Sequence, residues 1–344
     1  MVDLAHRLVC RYKVGSDANT EKAIMKMSRC VLLSTILIST LLAAPLVTAQ
    51  QKTIRFAHQK NLFMAPVFVA LEKGWFTEPL AKAGYKMDRR EINVGPAVAE
   101  AMAANQIDIG QMGMAVIVTS VGRGLPARIV VNTGIAGEGV VVRGDSGITK
   151  MGELRGKTIA IPSKGNMQDF IVRRGLEKAG IDPAKDVKFV EIAAPDQKQA
   201  LMAKLVDAVT LWEPLVTDVV LAGGHLLASG QEIDPNHDND TISASEEAIK
   251  NHPEAVRAIV QTVVQAQQWV MDNPEEAKTI SAKYLGLPRA TIDAAWKNVY
   301  RRRDGQPSPQ STQEFADFLY KWGYIKNKLT ATALIDGQFL PKAK

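Results

Sequence analysis

One order of elements, strand–helix–strand–helix–strand–helix–strand, is written twice in this chain, about a hundred residues apart. The first copy runs from Thr53 to Thr133 and the second from Lys157 to Ala228. Short apolar runs mark the strands: Ile54–Ala57, Lys86–Ile92, Ile107–Gly110 and Arg128–Thr133, then Lys157–Ile161, Val187–Ile192, Ala208–Leu211 and His225–Ala228. Pro66, Pro96 and Pro214 stand where first helical turns are expected, because a missing N–H costs nothing there, and Gly74 and Gly180 fit positions just past helix ends. The copies match most closely at Gln106–Ile109 and Leu205–Ala208, each with an apolar residue beside Asp. Such alternation predicts the α/β class, with mostly parallel sheets covered by helices on both faces. Two such lobes from one chain leave a crevice, and that is where a protein of this kind acts.

After residue 233 the pattern changes to helices alone. Val256, Ile259, Val260, Val263, Val264 and Val270 form an apolar stripe on a helix opened by Pro253, and Asn273–Pro274 breaks it. A second helix runs to Tyr284 and a third carries Ile292, Trp296 and Val299. Ser311 and Glu314 have the spacing of a capping box, ahead of Phe315, Phe318, Leu319 and Trp322 on one core-facing side.

The N-terminal segment lies outside this scheme. Lys26 and Arg29 precede an apolar stretch from Val31 to Val47, and Val47-Thr48-Ala49 offers the small residues of a processing site. Residues 1–49 therefore read as a secretory signal peptide cut between Ala49 and Gln50, with 1–24 a possible start-site extension ahead of Met25 or Met27. That segment holds six Lys/Arg and three Asp/Glu, so the remainder has 36 basic against 33 acidic residues, and its charge gives no reason to expect nucleic acid as a partner. Both cysteines, Cys10 and Cys30, fall within it. A chain from Gln50 onward has no thiol for a disulfide, a nucleophile or a Cys-zinc site.

Other motifs point away from catalysis. Gly144-Asp145-Ser146-Gly147 resembles a serine-protease nucleophile box, but Ile148 follows where that box has Gly, and the segment reads as a turn leaving a strand at Val140–Arg143. There is no phosphate-binding loop, no His-Glu-x-x-His and no Gly-x-Ser-x-Gly elbow. Asp234 to Asp240 is rich in oxygen ligands but lacks the Gly and distal Glu of a calcium loop, and reads as a solvated linker. Arg301-Arg302-Arg303 reads as a solvated face, and His58 has no acid or thiol at motif spacing. Nothing assembles a nucleophile with a base, and no cofactor or metal is called for.

Five stretches in order carry a family resemblance. They are Ala65-Pro-Val-Phe-Val-Ala-Leu-Glu-Lys-Gly-Trp-Phe76, Ile107-Asp-Ile-Gly110, Met151-Gly-Glu-Leu-Arg-Gly-Lys-Thr-Ile-Ala160, Val206-Asp-Ala-Val-Thr-Leu-Trp-Glu-Pro214 and Asn251-His-Pro-Glu254. Together they resemble the nitrate/sulfonate/taurine-type periplasmic solute-binding proteins of ABC importers, a group that includes thiamine-pyrimidine binders. Lys204 departs from the family, which more often has Gly there; that changes a turn and not the site. The resemblance implies a two-lobe periplasmic binding protein type II fold, with lobe one at 52–137 plus 233–344 and lobe two at 138–232. The chain would cross between them near Gly139–Arg143 and Ser229–Asp240. It further implies a monomeric periplasmic receptor that is not an enzyme, whose partners are a small solute and an ABC permease with its ATPase.

Strand-end geometry then nominates ligand-binding loops: His58, Gln59, Lys60, Asn61 and Phe63; Met112, Gly113 and Met114; Thr133 and Gly134; Ser163, Lys164, Gly165, Asn166 and Met167; Trp212 and Glu213. Ser163–Asn166 leads into a helix N-terminus, whose N–H groups favour an oxyanion. Ser163 and Asn166 read equally well as helix caps, and the methionines and Trp212 as core. The mixture of polar, thioether and aromatic lining favours an organic anion such as an alkyl or aryl sulfonate, a taurine-like solute or a carboxylate. Glu213 in the cleft would instead suit an amine, as in an aminopyrimidine. A sensor partner and a cofactor-free enzyme are the other readings; the thiamine-pyrimidine synthases of this fold use a cysteine-rich iron motif that a chain from Gln50 lacks.

Overall fold

A computed structural model describes residues 51–235 and 237–342; the signal segment and its cleavage site lie outside the described residues. In the first copy of the repeat the elements are β1 (Lys52–His58), α1 (Ala65–Glu72), α2 (Thr77–Lys82), β2 (Tyr85–Glu91), α3 (Gly95–Ala103), β3 (Ile109–Gly113), α4 (Met114–Gly122) and β4 (Ala127–Ala136). A strand β5 (Glu138–Arg143) follows. The second copy is β6 (Thr158–Ile161), α5 (Met167–Lys178), β7 (Lys188–Glu191), α6 (Ala194–Met202), β8 (Ala208–Trp212), α7 (Leu215–Leu221) and β9 (Gly224–Ser229). Then come α8 (Gly230–Ile233), β10 (Asp238–Ser245), α9 (Glu246–Asn251), α10 (Pro253–Asp272), α11 (Pro274–Leu285), α12 (Arg289–Trp296), β11 (Val299–Tyr300), α13 (Pro309–Lys321) and α14 (Ala331–Leu334).

The repeat is physical as well as textual. The matched aspartates do the same work: Asp108 accepts from the Arg55 amide at 2.7 Å, Asp207 from the Thr158 amide at 2.9 Å, each tying the start of a third strand to a first strand. The three helix-to-strand returns of each copy turn through left-handed residues, Gly84, Asn105 and Gly124 in one and Gly180, Lys204 and Gly223 in the other. Lys204 takes φ 62° where a glycine would be unstrained, so its departure from the family pattern is confined to a turn.

Two sheets result, ordered β2-β1-β3-β10-β4-β11 and β7-β6-β8-β5-β9. In each, the first three strands of a copy are parallel, and an antiparallel strand is inserted before the fourth. The inserted strand comes from beyond the other copy: β5 follows the first copy but lies in the second sheet, and β10 follows the second copy but lies in the first. The chain passes between sheets at Gly137 and again through α8 and the residues after it. Gly139–Arg143, expected as a crossing, is already strand β5.

One apolar core packs α1 and α10 over the first sheet: Val256, Ile259, Val260 and Val263 are fully buried with Phe56, Val67 and Phe68. Another holds α13 against α5, with the Phe170 ring 5.3 Å from Phe315 and 5.0 Å from Phe318. The aromatic stripe of the tail therefore packs on the second copy of the repeat.

Five expectations are corrected. The segment after residue 233 is not all-helical, because β10 and β11 lie within it. The acidic stretch is no solvated linker: Asp238, Asn239 and Asp240 are buried at the start of β10, in mid-sheet. Their polarity is met by tertiary partners, with Asp238 accepting from the Ser308 amide at 2.7 Å and pairing with Arg302. The arginine triplet is likewise a set of ties: Arg301 to the Leu62 carbonyl at 2.8 Å, Arg302 to Asp238, and Arg303 to Asp272 at 2.7 Å. Helix α13 is capped by Ser308, not Ser311, whose hydroxyl instead accepts from the Asp238 amide at 2.8 Å. Pro214 sits just before α7 rather than in its first turn.

Candidate functional site

The loop after β1 divides its residues between core and seam. Ile54, Phe56 and His58 share one face of β1, so His58 is buried beside Phe56 and Phe68, its ring centroid 6.4 and 6.1 Å from theirs. Burial pushes its imidazole below the usual range, opposed by the Gln59 carbonyl, and its Nε2 has no partner. Gln59 turns the other way and brackets Gln111 of β3: its amide donates to Gln111 Oε1 at 3.0 Å and its Nε2 to the Gln111 carbonyl at 3.2 Å. Lys60 is exposed and paired with Glu91 at 3.0 Å.

Asn61, Phe63, Met112, Gly113, Thr133 and Gly134 are brought together at the carboxyl ends of β1, β3 and β4. Their centre is a residue the sequence reading missed, Asp240. Register places it opposite both Gly113 and Gly134. Gln111 Nε2 donates to its carboxylate at 2.6 Å and Thr133 Oγ1 at 3.1 Å, and Asn61 also bonds to it. Burial without a cation raises the Asp240 pKa to about 7, against those three neutral donors. Gly134 is required where it stands, because a Cβ there would lie 2.1 Å from the Phe63 ring.

Ser163, Lys164, Gly165 and Asn166 line a groove of about 540 Å³ against α3 and α4, whose walls include Pro96, Val116 and Arg123. Met167 is buried. The expected anion position at the start of α5 is already filled from within. Asn166 caps the Asp169 amide at 2.9 Å, and Asp169 accepts from the Gly165 amide at 2.9 Å and from Arg173 at 2.5 Å. The Tyr324 hydroxyl also donates to Asp169 at 2.8 Å, and its ring lies against Gly165. A capping role thus accounts for Asn166.

Trp212 is half-buried, packed on one side against the second copy's core and on the other against Leu62, Phe63, Ile292 and Val299. Glu213 faces neither cleft nor solvent. It is fully buried, with Thr217 Oγ1 donating at 3.0 Å and Asn298 Nδ2 at 2.5 Å to its Oε1. Burial raises its pKa, and Asn298 and Thr217 pull against that. Its amide donates to the Gly137 carbonyl at 2.9 Å, so Glu213 fastens the first crossing to the tail. Among the described residues no cluster of three or more His, Cys, Asp or Glu is arranged to hold a metal, and no helix is long and apolar enough to cross a membrane.

Paired α/β sheets that exchange strands and turn their loop-bearing ends toward a shared seam define the two-lobed periplasmic binding protein class. The periplasmic aliphatic sulphonate binding protein SsuA of Escherichia coli superposes with a TM-score of 0.72 at 19% identity, over 85% of this chain and 94% of that one. The chain belongs to the NMT1-like family, whose model matches residues 48–286. A Bacillus subtilis protein assigned to aliphatic sulfonate binding is 26% identical over 299 residues, covering 86% of this chain and 89% of the relative. The taurine-binding periplasmic protein of Escherichia coli is 24% identical over 293 residues, covering 80% and 89%.

Proposed function

We propose that this protein is the periplasmic substrate-binding component of an ABC importer and captures a small organic anion, a sulfonate, taurine-like or carboxylate solute, by closure of two lobes. Lobe one is 52–137 with 233–344 and lobe two is 138–232, hinged at Gly137 and at the segment after α8. The reading is supported chiefly by Phe63 of the first copy and Trp212 of the second, which meet in one apolar cluster beside the loop that carries Asn61. Relatives named for binding sulfonates and taurine point to the same solute class. The receptor is secreted by its N-terminal signal, works as a monomer, and does no chemistry on its solute; a permease and ATPase receive it.

A thermal-shift panel tests the solute class. A ligand that binds only the folded state adds RT ln(1 + [L]/Kd), about 2.7 kcal/mol at a hundredfold excess over Kd. Sulfonates, taurine or carboxylates are expected to raise the melting temperature, with the compound recovered unchanged. A shift confined to aminopyrimidines, or turnover of the compound, would refute the reading.

A further inference from the structure

Arg301 follows β11 and reaches the loop after β1, where one of its terminal nitrogens donates to the Leu62 carbonyl at 2.8 Å. Its guanidinium stands 5.0 Å from the Trp296 ring centroid. Its Nε is buried and without a hydrogen-bond partner, and among the described residues no carboxylate pairs with it. Burial alone lowers its pKa, to about 10, with no acid opposing the shift. A guanidinium left in this state is costly unless something else supplies the anion. The other cations of the triplet and of the strand-end loops are served differently. Arg302 pairs with Asp238, Arg303 with Asp272, Lys60 with Glu91 and Lys164 with Glu191.

The surroundings suit an organic anion. The planar fork of a guanidinium matches two oxygens of a sulfonate or carboxylate, and here it lies beside an apolar cluster of Leu62, Phe63, Trp212, Ile292, Trp296 and Val299. Trp212 reaches this cluster from the second copy of the repeat and Phe63 from the first, so the arginine stands where both contribute. The start of α5, the other place for an oxyanion, is taken by Asp169.

We propose that Arg301 is the specificity-determining residue of the receptor, receiving the anionic head of the solute while the Trp212–Trp296 cluster takes its carbon skeleton. The inference rests on the solute class proposed above. It is tested by calorimetry and thermal melting of wild-type protein and of Arg301→Met, Arg301→Lys and Arg303→Met, with butanesulfonate, taurine and benzoate as probes. Arg301→Met is expected to melt, without ligand, no lower than wild type, because it removes an uncompensated charge. Its affinity for the best probe should fall about a hundredfold or more. Arg301→Lys should fold and lose about tenfold, since an ammonium lacks the fork; Arg303→Met should bind as wild type does. Unchanged affinity in Arg301→Met overturns the proposal, as does a lower ligand-free melting temperature with affinity retained. Should Arg301→Met fail to fold, unchanged affinity in Arg301→Lys overturns it equally. If wild-type protein binds none of the probes, the solute class itself fails, which is a separate result from a variant that binds normally.

Discussion

Replacing Asp240 by Asn should remove a loss of stability that sets in as pH rises. In the unfolded chain this carboxyl titrates near 3.8, whereas in the fold it holds its proton to about 7. Between those values the folded state binds more protons than the unfolded one, so stability falls as pH rises, and Asp240's full contribution is present only below its unfolded pKa. A gap of about three pH units corresponds to about 4 kcal/mol lost by the time the carboxylate is fully ionised. Asn cannot ionise. It loses an acceptor for Gln111 or Thr133, but that loss is a constant offset across pH. Urea unfolding of wild type and Asp240→Asn from pH 4 to pH 8 isolates the effect, since other titrations cancel in the difference. The variant's stability relative to wild type is expected to climb by about 3–4 kcal/mol over that range. A difference flat with pH would show that Asp240 is ionised in the fold at acid pH, and would refute the argument.

Two further outcomes follow from geometry. Glu213→Gln should cost about 1–3 kcal/mol, measured by denaturation, because the donors of Asn298 and Thr217 lose an acceptor, while the ranking of solutes by affinity stays the same. A changed ranking at unchanged stability would return Glu213 to the cleft. Lys204→Gly should stabilise the protein by about 1 kcal/mol, because Lys204 is held at φ 62° and its pairing with Asp145 at 3.5 Å is exposed; a lower melting temperature would contradict this.

What could be read in the sequence was local. Apolar runs of strand length, first-turn prolines and turn glycines carry their own explanation, and all seven elements of each copy stand in the fold. The inserted strand β10 was hidden because Asp238, Asn239 and Asp240 are polar, and only distant partners such as Arg302, Ser308 and Gln111 make their burial tolerable. Glu213 misled for the same reason, since Asn298 lies 85 residues away. His58 was placed correctly at a strand end but on the wrong face, and the alternation of Ile54 and Phe56 was the signal that could have told which. Arg301 looked like one of three equivalent charges; its lack of an acid partner can be seen only in three dimensions.

The exchange of strands sets the order in which the chain can be finished. All five strands of the second sheet lie between Glu138 and Ser229, so that sheet can close as soon as its own stretch is made. The first sheet is begun earlier but must wait. Until Asp238–Ser245 emerges, β4 has no partner among β1 to β3, and the inner edges of β3 and β4 stay open. At about 5–20 residues per second, the roughly hundred residues separating β4 from β10 take about 5–20 s to synthesise. The half of the molecule made first is therefore the last to be completed, and through that interval two open strand edges offer pairing sites to neighbouring chains.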